Sequence, residues 1–166
     1  MQDVRKAAEP PKCGATGTGT SGHYIPRMLE ETLGTKFTIV TGYAGGNEID
    51  LATERNEVVC RSFTTQAYFQ REPYHTWRKK NFVRILMQTG RKRDSRMPDV
   101  PTIYDLMEEY KTPAQTRSLV TAILASGDLG RPPGVDGRHQ GRWRYAMVHR
   151  AGAWRGHRLG DHRLDR

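Results

Sequence analysis

Apolar positions recur along most of the chain at alternating helical and strand spacings. Ile25, Met28, Leu29 and Leu33 stand three or four apart, and Gly34 follows them. That spacing predicts a helix over about 24–33, closed by a glycine after its last turn, with Pro26 tolerated because it lies in the first turn. Residues 36–40 are β-branched and aromatic and predict a short strand. Asn47 is a good helix cap, and Ile49, Leu51 and Ala52 carry a helix to about residue 55. Residues 58–63 read as a second strand, 64–80 as helix in pieces broken at Pro73, and 82–87 as an almost wholly apolar third strand. Thr102 caps a helix to about 110, and Thr112-Pro113 opens another to about 124. Strands alternating with helices predict an α/β fold with a parallel or mixed sheet. Three strands make a marginal core, so further elements are expected.

Two glycine-rich loops interrupt this pattern. Between Cys13 and Tyr24 the chain reads Gly-Ala-Thr-Gly-Thr-Gly-Thr-Ser-Gly-His, directly before the first predicted helix. Glycines let the main chain approach a ligand, and the first N–H groups of a helix have no partner within it. Such a loop suits a carboxylate or phosphate. The second loop, residues 41–46, holds three more glycines.

The 166 residues carry a net charge of +9, unevenly spread. Residues 131–166 hold nine Arg and three Asp, a balance of +6, whereas residues 1–130 hold 18 basic and 15 acidic groups, a balance of +3. The body is therefore close to neutral, which argues against a basic nucleic-acid face on it. The segment 131–166, rich in Arg, Gly and His, reads as a tail that does not fold, in text of the kind GC-rich coding yields out of register. Its four histidines lack the spacing of a metal site. The first 12 residues have no apolar core of a signal peptide. Two cysteines imply neither a disulfide framework nor a zinc site.

An ordered string of motifs resembles a family. Gly14-Ala15-Thr16-Gly17-Thr18-Gly19-Thr20-Ser21, Leu33-Gly34-Thr35-Lys36-Phe37, Thr41-Gly42-Tyr43-Ala44-Gly45-Gly46-Asn47-Glu48-Ile49-Asp50-Leu51-Ala52, Pro98-Asp99-Val100-Pro101-Thr102 and Leu129-Gly130-Arg131-Pro132 follow one another as in the solute-binding receptors of tripartite tricarboxylate transporters, the TctC or Bug family. The chain departs from the pattern at Val59-Cys60, where the family has Asp-Gly, and after Val135. The resemblance implies one lobe of a type II periplasmic-binding-protein-like fold, with a periplasmic location. It implies a link at 1–11, a ligand-binding second lobe at 12–97, the start of a return into the first lobe at 98–130, and the tail. It implies a monomeric partial copy without its leader and most of its first lobe. No catalysis, cofactor, metal or nucleic acid is expected; the partners are a small organic carboxylate and membrane transporter subunits. The ligand residues it implies are Thr16, Gly17, Thr18, Gly19, Thr20 and Ser21, with Ala44 and Gly45 beside them. Thr18, Thr20 and Ser21 are expected to donate through their hydroxyls.

Other chemistries compete. Gly17-x-Gly19-x-x-Gly22 fits a dinucleotide fingerprint, but Glu9-Pro10-Pro11-Lys12 is poor strand material and no acid follows residue 40. Cys60 with His75 lacks an orienting partner for nucleophilic work and reads as a structural cysteine. Glu48, Asp50, Glu54 and Glu57 read as a solvated helix face. Arg71, Arg78, Lys79 and Lys80, with Tyr74 and Trp77 between them, read as a surface helix anchored by aromatics rather than a nucleic-acid platform.

Overall fold

A computed structural model describes residues 1–126 and 145–151. Five strands form one mixed sheet: β1 (Lys12–Gly14), β2 (Thr38–Val40), β3 (Cys60–Thr64), β4 (Val83–Gln88) and β5 (Tyr145–Arg150). Their spatial order is β2-β1-β3-β5-β4. The helices are α1 (Gln2–Arg5), α2 (Ser21–Leu33), α3 (Gly46–Glu54), α4 (Thr65–Gln70), α5 (Tyr74–Lys79), α6 (Ile103–Glu109) and α7 (Ala114–Ser126). β1 pairs parallel with β2 and β3, while β5 lies antiparallel between β3 and β4.

Strand alternation divides the core between the two faces. Cys13, Cys60, Tyr145 and Met147 pack with Ile25, Leu29, Ile103, Leu106 and Val120, so α2, α6 and α7 cover one face. Phe63, Ala146 and Val148 pack with Tyr68, Tyr74 and Trp77, and Ile49 with Val58, so α3, α4 and α5 cover the other. The aromatics between the cationic side chains of α5 are therefore core groups: Trp77 is buried and donates through Nε1 to Glu54 Oε1 at 2.9 Å.

The α/β class and most elements match the sequence reading; the departures have physical causes. The strand β1 was not expected after two prolines. It needs only three residues because neighbours on both sides accept its pairing. α2 starts three residues early, at Ser21, which puts Pro26 inside the helix, where it cannot donate to the carbonyl of Gly22. The early start depends on Gly22: a Cβ there would lie 2.8 Å from the Gly14 carbonyl oxygen, so only glycine lets the helix sit so close to β1. Gly34 ends the helix in the left-handed region as expected, at φ 63°, with its N–H donating to the Glu30 carbonyl.

The expectation that residues 131–166 do not fold is corrected for 145–150. Tyr145-Ala146-Met147-Val148 is an apolar run buried on both faces, and it supplies the strand that joins β3 to β4. The other residues of the expected tail lie outside the described ones, apart from Ala151, as do Leu129 to Pro132 of the family pattern. From residues 98–126, Ile103, Leu106, Met107 and Val120 join the core beside α2. Thr112 Oγ1 donates to the Thr32 carbonyl at 2.6 Å and ties the α6–α7 link to α2. Thr102 caps α6 as expected, in a reciprocal box with Asp105.

Cys13 and Cys60, which did not imply a disulfide, are paired across β1 and β3 and joined as one. The 47-residue separation predicts ~4 kcal/mol of stabilisation from loop closure in the unfolded chain. Reduction is therefore expected to lower the melting temperature measured by circular dichroism, and Cys13→Ala/Cys60→Ala to abolish the effect of reductant. Met147→Asp is expected to prevent cooperative unfolding altogether, because it places a charge in the centre of the sheet.

Candidate functional site

β1 lies where the order of the sheet reverses: the chain leaves it through α2 for β2 on one side, then passes through α3 to β3 on the other. Ligands in open α/β sheets gather outside the carboxyl ends of strands at such a point. Thr16 to Thr20 form the turn that leaves β1, and Tyr43 to Gly45 lead from the neighbouring end of β2 into α3. The two glycine-rich loops thus sit at adjoining strand ends, as expected.

The first loop is open to a ligand. Thr18 and Gly19 are exposed, and Thr16, Gly17, Thr20 and Ser21 are half-buried. Gly19 has φ +81°, which explains that glycine. A Cβ at Gly17 or Gly19 would meet nothing within 4 Å. Among the described residues, the N–H groups of Thr16, Gly17, Thr18, Gly19, Ser21 and Gly22 find no acceptor, whereas that of Thr20 reaches the Gly17 carbonyl at 3.4 Å. α2 has no acidic residue in its first turn, and its cap residue, Thr20, makes no side-chain cap. The positive end of a 13-residue helix is left uncompensated.

Two of the expected roles are corrected. Thr20 Oγ1 donates to the Gly17 carbonyl at 2.8 Å, so its proton tightens the turn and is not offered to a ligand. The Ala44 N–H donates to Glu48 Oε2 at 2.8 Å. Glu48 in the first turn of α3 thus serves its own helix, and Ala44 is not an open donor. Gly45 is half-buried, and a Cβ there would meet nothing within 4 Å.

Arg61, which sequence reasoning did not single out, holds the second loop. Arg61 on β3 donates through Nη1 to the Gly46 carbonyl at 2.7 Å and to Asp50 Oδ1. The Tyr74 hydroxyl lies 3.0 and 3.1 Å from the two Asp50 oxygens. The guanidinium stands over the rings of Phe63 and Tyr74, 5.5 and 5.6 Å from their centroids. Asp50 is therefore buried, a correction to its reading as a solvated charge; Glu48 and Glu57 are exposed. Burial pushes the Asp50 carboxyl above the usual carboxylate range, against the opposing pull of Arg61 and Tyr74. The surrounding acids in the sequence gave no sign of this, since Arg61 arrives from β3 and Asp50 stands on α3.

The competing chemistries fare unevenly. Cys60 is bonded to Cys13, which leaves no thiol for nucleophilic work. The dinucleotide fingerprint has a strand before it after all, and Gly22 packs closely against that strand, but β2 is followed by Thr41 and Gly42, with no acid. Among the described residues no three His, Cys, Asp or Glu side chains gather as a metal ion needs, and no helix is long and apolar enough to cross a membrane. No family model matches the chain, and no curated protein or solved structure matches it.

Arg61→Met is expected to cost ~3–5 kcal/mol in urea denaturation, because it leaves the buried Asp50 without its partner. Asp50→Asn in the same chain is expected to recover part of the loss. The folded-state rise at Asp50 favours its protonated form, so that contribution to stability is present below about pH 4 and fades as pH rises through the raised value. The penalty of Arg61→Met is therefore expected to be larger at pH 7 than at pH 4.

Proposed function

We propose that this chain is a solute-binding lobe that captures a small organic carboxylate for a membrane transporter of the tripartite tricarboxylate kind. The observation that carries the reading is the loop from Thr16 to Gly22, where every main-chain N–H but that of Thr20 is without an acceptor among the described residues, at the uncompensated N-terminus of α2. A carboxylate there accepts several charge-assisted hydrogen bonds without meeting an acidic side chain. Thr18 and Ser21 add hydroxyls, and Gly45 lies at the adjoining strand end. The chemistry is binding, with no bond made or broken. A five-stranded mixed sheet with helices on both faces supports one lobe of a type II periplasmic-binding-protein-like fold. The Cys13–Cys60 disulfide supports a periplasmic setting, where such bonds persist.

A nicotinamide dinucleotide is the second reading, favoured by the strand–glycine loop–helix arrangement of β1 and α2. Calorimetric titration of the full chain with succinate, malate, citrate, inorganic phosphate and NAD separates the two. The receptor reading expects a di- or tricarboxylate to bind with a dissociation constant of about 1 mM or lower. Thr18→Ala and Ser21→Ala are each expected to weaken it about tenfold, the loss of one charge-assisted hydrogen bond. Heat from NAD alone, or no carboxylate binding at all, contradicts the receptor reading.

A further inference from the structure

We propose that the surface around the outermost strand, from α5 through β4 to the loop after it, is a docking face for an anionic lipid bilayer, held by phosphate-bearing headgroups. The inference goes beyond the carboxylate reading and does not depend on it.

The near-neutral balance of residues 1–130 conceals a segregation of charge. Residues 71–96 hold nine basic and two acidic side chains, a balance of +7, so the rest of residues 1–130 carry −4. Both acids are engaged: Glu72 lies 3.3 Å from His75 Nδ1, and Asp94 is bound by Arg96 at 2.7 Å. Asp105 of α6 takes up Arg93 at 2.9 Å. One exposed acid, Asp99, follows the loop. Arg78, Lys79, Lys80, Arg84, Arg91 and Lys92 form no ion pair with any described residue.

The fold gathers these cations. β4 ends the sheet, with no strand beyond it. α5 stops at Lys79 and leads into β4 through a tight turn, in which the Phe82 N–H donates to the Trp77 carbonyl at 2.9 Å. Lys79 and Lys80 are exposed just before the strand, Arg84 within it, and Arg91 and Lys92 after it. The stretches before and after β4 meet over Phe69: Arg78 stands 4.9 Å and Arg96 4.0 Å from the same ring centroid. A guanidinium stacked on a ring is held in place and keeps its N–H fork for a phosphate.

The partner follows from what this surface lacks. Its rings are taken: Phe69 by Arg78 and Arg96, Phe82 by Arg150, and Tyr104 by Arg91, while Tyr74 and Trp77 are buried. None of them is free to stack a nucleotide base. The large apolar side chains exposed among the described residues are Leu51 of α3 and Leu119 of α7, neither within residues 71–96. The surface therefore has no apolar centre of the kind a protein interface is built around. Charge alone remains, and a layer of anionic headgroups is held by charge alone. The Cys13–Cys60 disulfide supports an oxidising compartment, which holds lipid surfaces rather than nucleic acid.

The test is co-sedimentation of the full chain with vesicles of phosphatidylcholine alone or mixed equally with phosphatidylglycerol. Three variants accompany it. Lys79→Gln/Lys80→Gln/Arg84→Gln/Lys92→Gln removes charge from the surface, Lys79→Arg/Lys80→Arg/Arg84→Lys/Lys92→Arg keeps it, and Arg155→Gln/Arg158→Gln/Arg163→Gln/Arg166→Gln removes charge near the end of the chain. All four changed side chains of the first variant are exposed, so its melting temperature is expected to match that of the unaltered chain. The expected result is binding to the phosphatidylglycerol vesicles only, present at about 50 mM and lost at about 500 mM NaCl. The first variant is expected to bind at least about tenfold more weakly, and the other two as the unaltered chain does. Equal binding to both vesicles, no binding, or loss in the Arg155–Arg166 variant with none in the first overturns the proposal. Loss in the charge-keeping variant overturns it too, because shape and not charge is then at stake. Displacement of the vesicles by an equal phosphate concentration of duplex DNA, with the same loss in the first variant, reassigns the surface to nucleic acid and overturns the lipid assignment. Each of these outcomes leaves the carboxylate titrations untouched.

Discussion

The structure turns on β1. Three residues, Lys12 to Gly14, are held by parallel pairing on both sides and by a covalent bond from Cys13 to Cys60. Nothing that short has stability of its own; its position is set by its neighbours. Because α2 begins seven residues after β1 ends and Gly22 presses it against Gly14 and Ala15, the height of the helix start above the sheet follows from this clamp. The direction of the loop N–H groups follows in turn. A site made of main-chain donors can be no better ordered than the strand it hangs from.

Two glycine-rich loops of similar composition reach different outcomes. Each leaves the carboxyl end of one of two adjacent parallel strands and enters a helix. At α3 an acid of its own first turn, Glu48, closes onto the Ala44 N–H, and Arg61 braces the Gly46 carbonyl from below. At α2 no acid stands in the first turn, and the only side-chain hydroxyl bonded within the turn is that of Thr20. One loop has a main-chain N–H taken up by the protein, and in the other no first-turn acid does so. The difference is electrostatic, and it rests on a single carboxylate.

Much of this fold was legible in the sequence, because amphipathic helices and apolar strands carry their own periodicity. α6 with its Thr102 cap, the break at Pro73 and the glycine after α2 are local features and were readable. β1 was not, since three residues show no period and the prolines before it argue against a strand. β5 was missed because its apolar run is short and stands in arginine-rich text, where composition outweighed pattern. The position of the first glycine-rich loop, between β1 and α2, was readable from its glycines. Its detailed donors were not: whether Thr20 faces a ligand or its own turn, and whether Ala44 is free, depends on where neighbouring side chains end up. The burial of Asp50 arises only when Arg61 of β3 and Tyr74 of α5 close on α3.

The claim that the loop amides face outward to hold an anion is tested most directly by amide chemical shifts. A ¹H–¹⁵N correlation spectrum of the labelled chain, recorded during titration with succinate and citrate, reads each N–H separately. The account predicts saturable shifts concentrated at Thr16 to Gly22, with the Ala44 N–H moving little because Glu48 already occupies it. Shifts that spread evenly over the chain, or that leave the loop unmoved, would contradict it.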